Sequence, residues 1–293
     1  MSLIIRGVAL CMLIFGMNVV LAVEKNKIAE LRHRAEQGDV IAQIELGWAY
    51  ENGNDVPKDY AIALTWYRRA AKQDIALGQM LLGNMYYNGN GVPQNYSKAT
   101  EWFRRAAEQD LALAQYNLGV MYRDGTGVPK DYSKAIEWFR RAAEQGYAEA
   151  QLNLGTMYSG GRGLPQDDSK AIEWFRRAAE QDIAEAQYNL GLLYATSRGV
   201  PQDYSKAVEW LLRAAEQDNA LAQYNLGVMY VKGNGVHKNY IMAHFFFNLA
   251  GSKGLEKARK ARDLLAEEMT VKQINEAQRR AREWNETFTS DNQ

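Results

Sequence analysis

Four asparagines stand 36 residues apart along the sequence. They are Asn117, Asn153, Asn189 and Asn225. Each carboxamide can both donate and accept hydrogen bonds, so a ladder of them could hold the backbone of an extended peptide. Two earlier members of the same column, Glu45 and Leu81, break the pattern. A uniform peptide-binding surface would therefore begin only further along the chain.

A second column immediately precedes the asparagines and is rich in tyrosine. Its members are Ile44, Met80, Tyr116, Leu152, Tyr188 and Tyr224. A tyrosine combines apolar contact area with a polar tip, a combination that binding surfaces favour. A structural role is the alternative for both columns, because an aromatic stripe at helical spacing usually packs in a core. In that alternative the asparagines would bond to neighbouring helices or loops.

The sequence contains few residues in the patterns that catalysis requires. None of the three histidines, His33, His237 and His244, has a partner at the spacing of metal ligands. The G-x-S-x-G, S-x-x-K and H-E-x-x-H motifs are missing from the sequence. We therefore expect no enzymatic activity, no metal site and no cofactor.

The asparagine and tyrosine columns belong to a repeat that also carries regular glutamines, glycines and prolines. In one copy, Leu118 and Tyr122 recur at helical spacing and predict a helix A. The segment from Gly125 to Pro129 then interrupts that helix. Asp131 follows as the N-cap of a helix B. Each copy is therefore predicted to be a pair of helices.

Helix B carries an apolar stripe at the spacing i, i+3, i+4, i+7, i+8. In the same copy this stripe consists of Ala135, Trp138, Phe139, Ala142 and Ala143. The glycine retained in the middle of every helix A, such as Gly119, costs up to about 1 kcal/mol against alanine. Its retention predicts that the next helix approaches closely there. One pair cannot bury both faces, so the copies are expected to stack into a solenoid with a concave surface.

The amino terminus differs from the rest. Arg6 is followed by an apolar run, and Val20 and Ala22 suit a signal-peptidase cut before Val23. We expect a cleaved signal peptide; an uncleaved anchor is the alternative. The division of the chain is then a signal peptide (1–22), a capping half-repeat helix (23–39), six repeats (40–75, 76–111, 112–147, 148–183, 184–219 and 220–255), C-terminal capping helices (256–285) and a frayed tail (286–293).

Composition excludes several functions. Lys plus Arg and Asp plus Glu both number 35, so the chain lacks the basic excess of a general nucleic-acid binder. The one cysteine excludes a disulfide framework within the chain. Removal of the signal segment would also leave no stretch expected to insert into a membrane.

Three places depart from the repeat. Asp168 replaces a tyrosine and Ser197 replaces a loop glycine. The run Phe245–Phe247 gives the last copy an unusual density of aromatic rings. We expect this run to seal the final core against the terminal helices, with an exposed docking patch as the alternative.

The string AQYNLGVMYRDGTGVPKDYSKAIEWFRRAAEQG, from Ala114 to Gly146, resembles a Sel1-like repeat, a relative of the tetratricopeptide repeat. The segment from Arg262 to Trp284 resembles the tail of bacterial proteins of this family. The resemblance implies an all-α, right-handed α-solenoid that acts as an adaptor or scaffold. By resemblance to tetratricopeptide solenoids, helix A would line the concave surface.

The combined prediction is a non-catalytic scaffold of the bacterial cell envelope, periplasmic or secreted, which binds a protein or peptide on the concave helix A face. The candidate binding residues are Tyr116, Asn117, Asn153, Tyr188, Asn189, Tyr224 and Asn225. The alternative function is binding or hydrolysis of cell-wall material or a β-lactam. An exported, cysteine-rich branch of the family implies this alternative, although the predicted mature chain has no cysteine.

Overall fold

A computed structural model describes residues 27–290 of the chain, and within them every regular element is a helix. The chain divides between Ala142 and Ala143 into two compact units. The helices are α1 27–36, α2 Val40–Asn52, α3 Tyr60–Lys72, α4 Ala76–Asn88, α5 Tyr96–Glu108, α6 Ala112–Asp124, α7 Tyr132–Glu144, α8 Ala148–Gly160, α9 Asp168–Ala179, α10 Ala184–Thr196, α11 Tyr204–Glu216, α12 Ala220–Lys232, α13 Tyr240–Ser252, α14 Glu256–Ala266 and α15 Val271–Ser290. From α2 to α13 the predicted helix A and helix B alternate, and the all-α repeat is confirmed.

The breaks between the paired helices follow from local residue chemistry. Helix α4 ends at Gly89, which has the left-handed φ of 75° that glycine adopts without steric cost. Helix α5 then begins after Asn95, whose side chain accepts a hydrogen bond of 2.9 Å from the Lys98 amide. Ser197, which replaces the usual glycine after α10, adopts the same left-handed conformation, with φ of 57°.

The core of the first unit lies between paired helices. A Cβ atom on Gly83 of α4 would lie 2.8 Å from the Phe103 ring of α5, so only glycine fits there. The predicted close approach of helix B is therefore confirmed. Phe103 is buried, whereas the neighbouring Trp102 is half-buried and lies 4.6 Å below the Arg105 guanidinium. Phenylalanine rather than tryptophan thus fills the deepest space.

The column of buried glutamines joins successive repeats by hydrogen bonds. In the first unit, the Gln109 side chain donates to Oε1 of Gln79 at 2.9 Å. In the second unit, Gln217 donates to Gln187 at 2.9 Å, and Gln187 donates to the Ala179 carbonyl at 3.1 Å. These glutamines are therefore structural, because their amides satisfy buried polar groups inside the stack.

The end of the second unit is sealed by aromatic rings. The rings of Phe245 on α13 and Trp284 on α15 are 5.7 Å apart in an edge contact, and Phe245 is buried. This confirms that the phenylalanine run packs against the terminal helices. Before α15, the Gln273 side chain accepts from the Thr270 amide at 2.9 Å, and the Gln273 amide donates to the Thr270 hydroxyl at 3.3 Å. Thr270 and Gln273 therefore form a capping box at the start of α15.

Helix α15 continues to Ser290, beyond residue 285, where the capping helices were predicted to end, and into the segment 286–293 that was expected to fray. The sequence from 285 to 290 contains no glycine or proline that would stop it. The predicted signal peptide, residues 1–22, lies outside the described residues. Among residues 27–290, no helix is both long and apolar enough to cross a membrane.

Candidate functional site

In the first unit the candidate residues Tyr116 and Asn117 lie side by side on α6. Both are half-buried, beside the fully buried Leu118. The Tyr116 ring lies 5.8 Å from the Phe139 ring of α7, at an interplanar angle of 44°. One side of Tyr116 therefore packs against the core, and its remaining surface faces solvent beside Asn117.

In the second unit two of the candidate asparagines bond to their own helices. The Asn153 carboxamide of α8 donates to the Glu149 carbonyl at 2.8 Å, and that of Asn225 on α12 donates to the Leu221 carbonyl at 3.0 Å. Both side chains are half-buried. Each carboxamide therefore uses one of its N–H donors in a hydrogen bond to a backbone carbonyl one turn earlier, as short polar side chains in helices often do.

The two tyrosines of the second unit also contact other repeats or helices. Burial raises the pKa of the Tyr188 phenol, and hydrogen bonding to Asn225 acts against that rise. Tyr188 and Asn225 therefore meet between α10 and α12. The Tyr224 ring lies 5.7 Å from the Phe247 ring, and the Lys257 ammonium lies 4.3 Å above its face.

Asn189 on α10 has a different environment, since its carboxamide lines a cavity of about 230 Å³ in the second unit. No described residue forms a hydrogen bond with this side chain. The cavity lies between α8 and α10, and Ser159, Arg162 and Arg198 also line it. Asn189 is thus a candidate asparagine that borders an open cavity and has no hydrogen-bond partner among the described residues.

Sequence reasoning missed the two arginines, although the repeat contains a signal for them. Their loop column reads Asn54, Asn90, Thr126, Arg162, Arg198 and Asn234. Arginine occurs only in two successive repeats, and both side chains line the same cavity. A break in a repeat column was therefore more informative here than the column itself.

Arg198 explains one of the predicted departures from the repeat. Its guanidinium forms two hydrogen bonds with the Asp168 carboxylate, at 2.8 and 3.0 Å, and reaches the Ser159 carbonyl at 3.3 Å. Asp168 therefore replaces tyrosine where the neighbouring loop supplies an arginine. This bidentate pair holds Arg198 at the edge of the cavity.

The first unit has a further surface that the columns did not predict. Trp48 on α2 is 54% exposed and Ile41, two turns earlier, is 60% exposed. Exposed large apolar side chains that lie together often mark an interaction surface. The isolated tryptophan at this position, where other repeats have smaller residues, was the available signal.

The three histidines lie in different environments. His244 of α13 is buried, and burial followed by the charge of Arg262 lowers its pKa. His33 and His237 are exposed. In the described part of the chain, no three His, Cys, Asp or Glu side chains are grouped as metal ligands would be.

Comparison with protein families accounts for the helical pairs. The family model of the Sel1 repeat matches six consecutive segments: residues 40–75, 76–111, 112–147, 148–183, 184–219 and 220–255. This chain is a Sel1-repeat protein. The predicted family resemblance and repeat fold are therefore confirmed.

Other Sel1-repeat proteins share its structure. One from Oxalobacter formigenes is 32% identical, with a TM-score of 0.66, over 80% of this chain and 95% of that chain. A protective antigen present in uropathogenic Escherichia coli strains, with an SLR fold, is 31% identical, with a TM-score of 0.59. That match covers 88% of this Sel1-repeat protein and 63% of the antigen chain.

A shorter match connects the Sel1-repeat protein with a curated relative. The secretory immunoglobulin A-binding protein EsiB of Escherichia coli is 44% identical over 43 residues. Those residues are 15% of this chain and only 9% of EsiB. The match therefore supports the shared repeat and not the whole protein's binding activity.

Proposed function

We propose that this Sel1-repeat protein is a non-catalytic scaffold that binds a protein or peptide through its helix A surface. Sel1-repeat proteins generally mediate protein–protein interactions. The observation that carries the proposal is the Asn189 carboxamide, which lines an open cavity and has no hydrogen-bond partner among the described residues. The half-buried Tyr188 beside it adds apolar contact area.

The binding surface would combine several repeats within each unit. In the second unit it includes Asn153, Asn189 and Asn225, and the tyrosines Tyr188 and Tyr224. Tyr116 and Asn117 are the corresponding residues of the first unit. Because Asn153 and Asn225 each donate to their own helix, we expect them to contribute less than Asn189. The repeats would then contribute unequally to the affinity for the partner.

A paired capture experiment tests this proposal. Residues 23–293 are immobilised beside a variant in which Asn117, Asn153, Asn189 and Asn225 are changed to alanine. The matched control changes four exposed serines at the starts of helix B to alanine: Ser97, Ser133, Ser169 and Ser205. Circular dichroism first establishes that all three proteins fold equally.

The expected result is an envelope protein retained by the native chain and by the serine variant but lost from the asparagine variant. Calorimetry with the purified partner should then show binding to the native chain and to the serine variant, and weaker binding to the asparagine variant. Equal retention by all three proteins would place the site elsewhere and overturn the proposed surface. Hydrolysis of a chromogenic β-lactam above background would instead favour the enzymatic alternative.

We also propose that the protein is exported to the periplasm or secreted by a bacterium. The apolar segment 1–22, with Ala22 before the predicted cut, supports this location. Mass spectrometry of the protein from an envelope fraction should find an amino terminus at Val23. An intact amino terminus at Met1 would favour the retained anchor.

A further inference from the structure

The cavity beside Asn189 is lined by small residues at the end of one helix A. Helix α8 ends with Ser159 and Gly160. The corresponding pairs in the three preceding repeats are Glu51–Asn52, Tyr87–Asn88 and Arg123–Asp124. A Cβ atom on Gly160 would lie 3.7 Å from Cγ and Nε of Arg162, so the Arg162 side chain lies along the space that glycine leaves.

The cavity contains hydrogen-bond donors that the protein itself does not use. Arg162 is exposed, and its guanidinium forms no hydrogen bond or ion pair with the described residues. The Asn189 amide is likewise without a partner among them. The Ser159 hydroxyl accepts a long contact of 3.4 Å from Arg198 and retains its proton for donation. The Thr156 hydroxyl, by contrast, already donates to the Leu152 carbonyl at 3.0 Å.

The charge of the cavity favours an anion. None of its lining residues, all within the described part of the chain, is acidic. Asp168 balances Arg198 from outside the cavity, which leaves the Arg162 guanidinium as the uncompensated charge. A single positive charge with a fork of donors matches one carboxylate better than a doubly charged phosphate.

The remaining walls are apolar. Phe175 and Leu193 are buried at the base of the cavity, and Leu192 is half-buried at its side. Such a wall would accommodate the methylene groups that carry a carboxylate in a peptide. At about 230 Å³ the space suits one side chain or chain end and not a whole folded element.

We propose that this cavity binds a carboxylate of a peptide or protein ligand, with Arg162 as the principal contact and with Asn189 and Ser159 as additional donors. The carboxylate belongs to an Asp or Glu side chain or to a free carboxyl terminus, which present the same chemistry. This inference rests on the proposed scaffold function and names the chemistry of its partner.

Short peptides of defined charge test the inference on residues 23–293 by NMR titration. Acetyl-Gly-Glu-Gly-amide presents a side-chain carboxylate, acetyl-Gly-Gly-Gly with a free carboxyl terminus presents a chain end, and acetyl-Gly-Gln-Gly-amide presents neither. Saturable shifts of the Arg162 Nε–H and Asn189 amide signals are expected with one or both carboxylate peptides. The carboxylate peptide that binds with the higher affinity identifies whether the carboxylate comes from a side chain or from a chain end.

Variants then assign the binding to the cavity. Arg162→Asn introduces the residue found at Asn54 and Asn90, so the loop should fold unchanged. This substitution should lower the affinity for the carboxylate peptide about tenfold or more, because it removes a charged hydrogen bond. The matched control Lys260→Gln removes one charge from an exposed position of α14 and should change the affinity less than about twofold.

Several results would overturn the inference. Equal shifts with the glutamine peptide would show that the carboxylate is not recognised. Equal weakening by Arg162→Asn and Lys260→Gln would show a general charge effect. Saturable binding of inorganic phosphate that excludes the carboxylate peptides would assign the cavity to a different anion, and no saturable shift with any probe would show that it binds none.

The two proposals can fail separately. If the native protein captures a partner that Arg162→Asn retains undiminished, the scaffold function stands and the carboxylate site is wrong. If no partner is captured but the carboxylate peptides saturate the Arg162 and Asn189 signals, the cavity binds its ligand and the scaffold function lacks support.

Discussion

In the first unit Trp48 and Leu77 of helix A are 54% and 41% exposed, so two large apolar side chains face solvent. In the second unit Thr156 stands at a position that corresponds to the tryptophan, and Glu149 and Glu185 stand at positions that correspond to the leucine, although Leu221 keeps the leucine and is 37% exposed. Beneath these surfaces the buried column is unchanged, and Leu154 of the second unit is fully buried. The packed column keeps its residue type because stacking demands it, whereas the exposed positions can acquire different chemistry in each unit.

The same contrast occurs where helix B begins. In the first unit Tyr96 packs edge-on against Tyr87, with ring centroids 5.2 Å apart. In the second unit the equivalent Asp168 pairs with Arg198 at 2.8 Å. One position in the repeat therefore supports an aromatic contact or an ion pair. The choice depends on the neighbouring loop and not on the helix that carries the residue.

The largest expected effect comes from the buried aromatic column shared by the two units. Phe103→Ala and Phe175→Ala should each lower the free energy of unfolding by about 3–5 kcal/mol, because both rings are buried. Urea denaturation followed by circular dichroism measures this. The exposed Trp48→Ala serves as the control and should cost less than about 1 kcal/mol. If only one of the two substitutions lowered the free energy of unfolding by a small amount, the cores of the two units would not be equivalent.

The buried glutamines should show a smaller loss. Gln187→Leu should cost about 1–3 kcal/mol, because it removes the buried hydrogen bond from the Gln187 side chain to the Ala179 carbonyl. Gln79→Leu should cost less, about 0.5–1.5 kcal/mol, because its partner Gln109 is exposed and can bond to water instead. Hydrogen exchange of amides in each unit would localise the weakening to the substituted repeat. Unchanged denaturation midpoints would argue against a stabilising hydrogen-bond ladder.

Acid should destabilise the second unit through His244. Burial lowers its pKa below the ordinary 6.5, so the unfolded chain binds the proton more readily. Stability conferred by neutral His244 is therefore present above about pH 6.5 and is lost as the pH falls through that value. Denaturation midpoints at neutral and mildly acidic pH measure the loss.

The matched variant is His244→Ile, which introduces the residue found at Ile136 and Ile172 in the same column. Its midpoint should depend less on pH than that of the native chain. His237→Gln, at an exposed position, should retain the native pH dependence. A native dependence that survives His244→Ile would assign the acid sensitivity to other groups.

The smallest effect is expected at the surface contact between Asp168 and Arg198. Asp168→Ala should lower stability by about 1 kcal/mol, because the Arg198 side chain is 45% exposed and water screens its charge, although the Asp168 side chain is only 15% exposed. Added salt should reduce the difference. Tyr96→Ala, which removes an apolar contact, should be insensitive to salt. Equal salt dependence of the two variants would contradict the assignment of different contacts.

Much of the fold was predictable because its causes are local. The glycine at position 83, the cap at Asn95 and the capping box at Thr270 act through neighbours within a few residues or within one repeat. The glycine and the cap recur in successive repeats, so one copy predicts the next. The length of α15 was less predictable. No glycine or proline marks the end of this helix, so the sequence does not show where it stops.

The candidate site was predictable only in outline. The residue columns placed Asn153, Asn189 and Asn225 on one type of helix, and the structure confirms those helices. Their different hydrogen bonding was not predictable, because each depends on nearby groups that the column does not show. Whether these columns bind a partner stays a prediction that the capture experiment addresses.

The repeat, its helix boundaries and its buried faces could be inferred from the residues alone, because periodic apolar side chains and caps specify them along the chain. The cavity that joins Arg162 to Asn189, and the pairing of Asp168 with Arg198, could not. These groups stand about thirty residues apart and meet only when successive helical pairs stack. Side-chain chemistry was therefore visible in the sequence, but its assembly into a site required the tertiary structure.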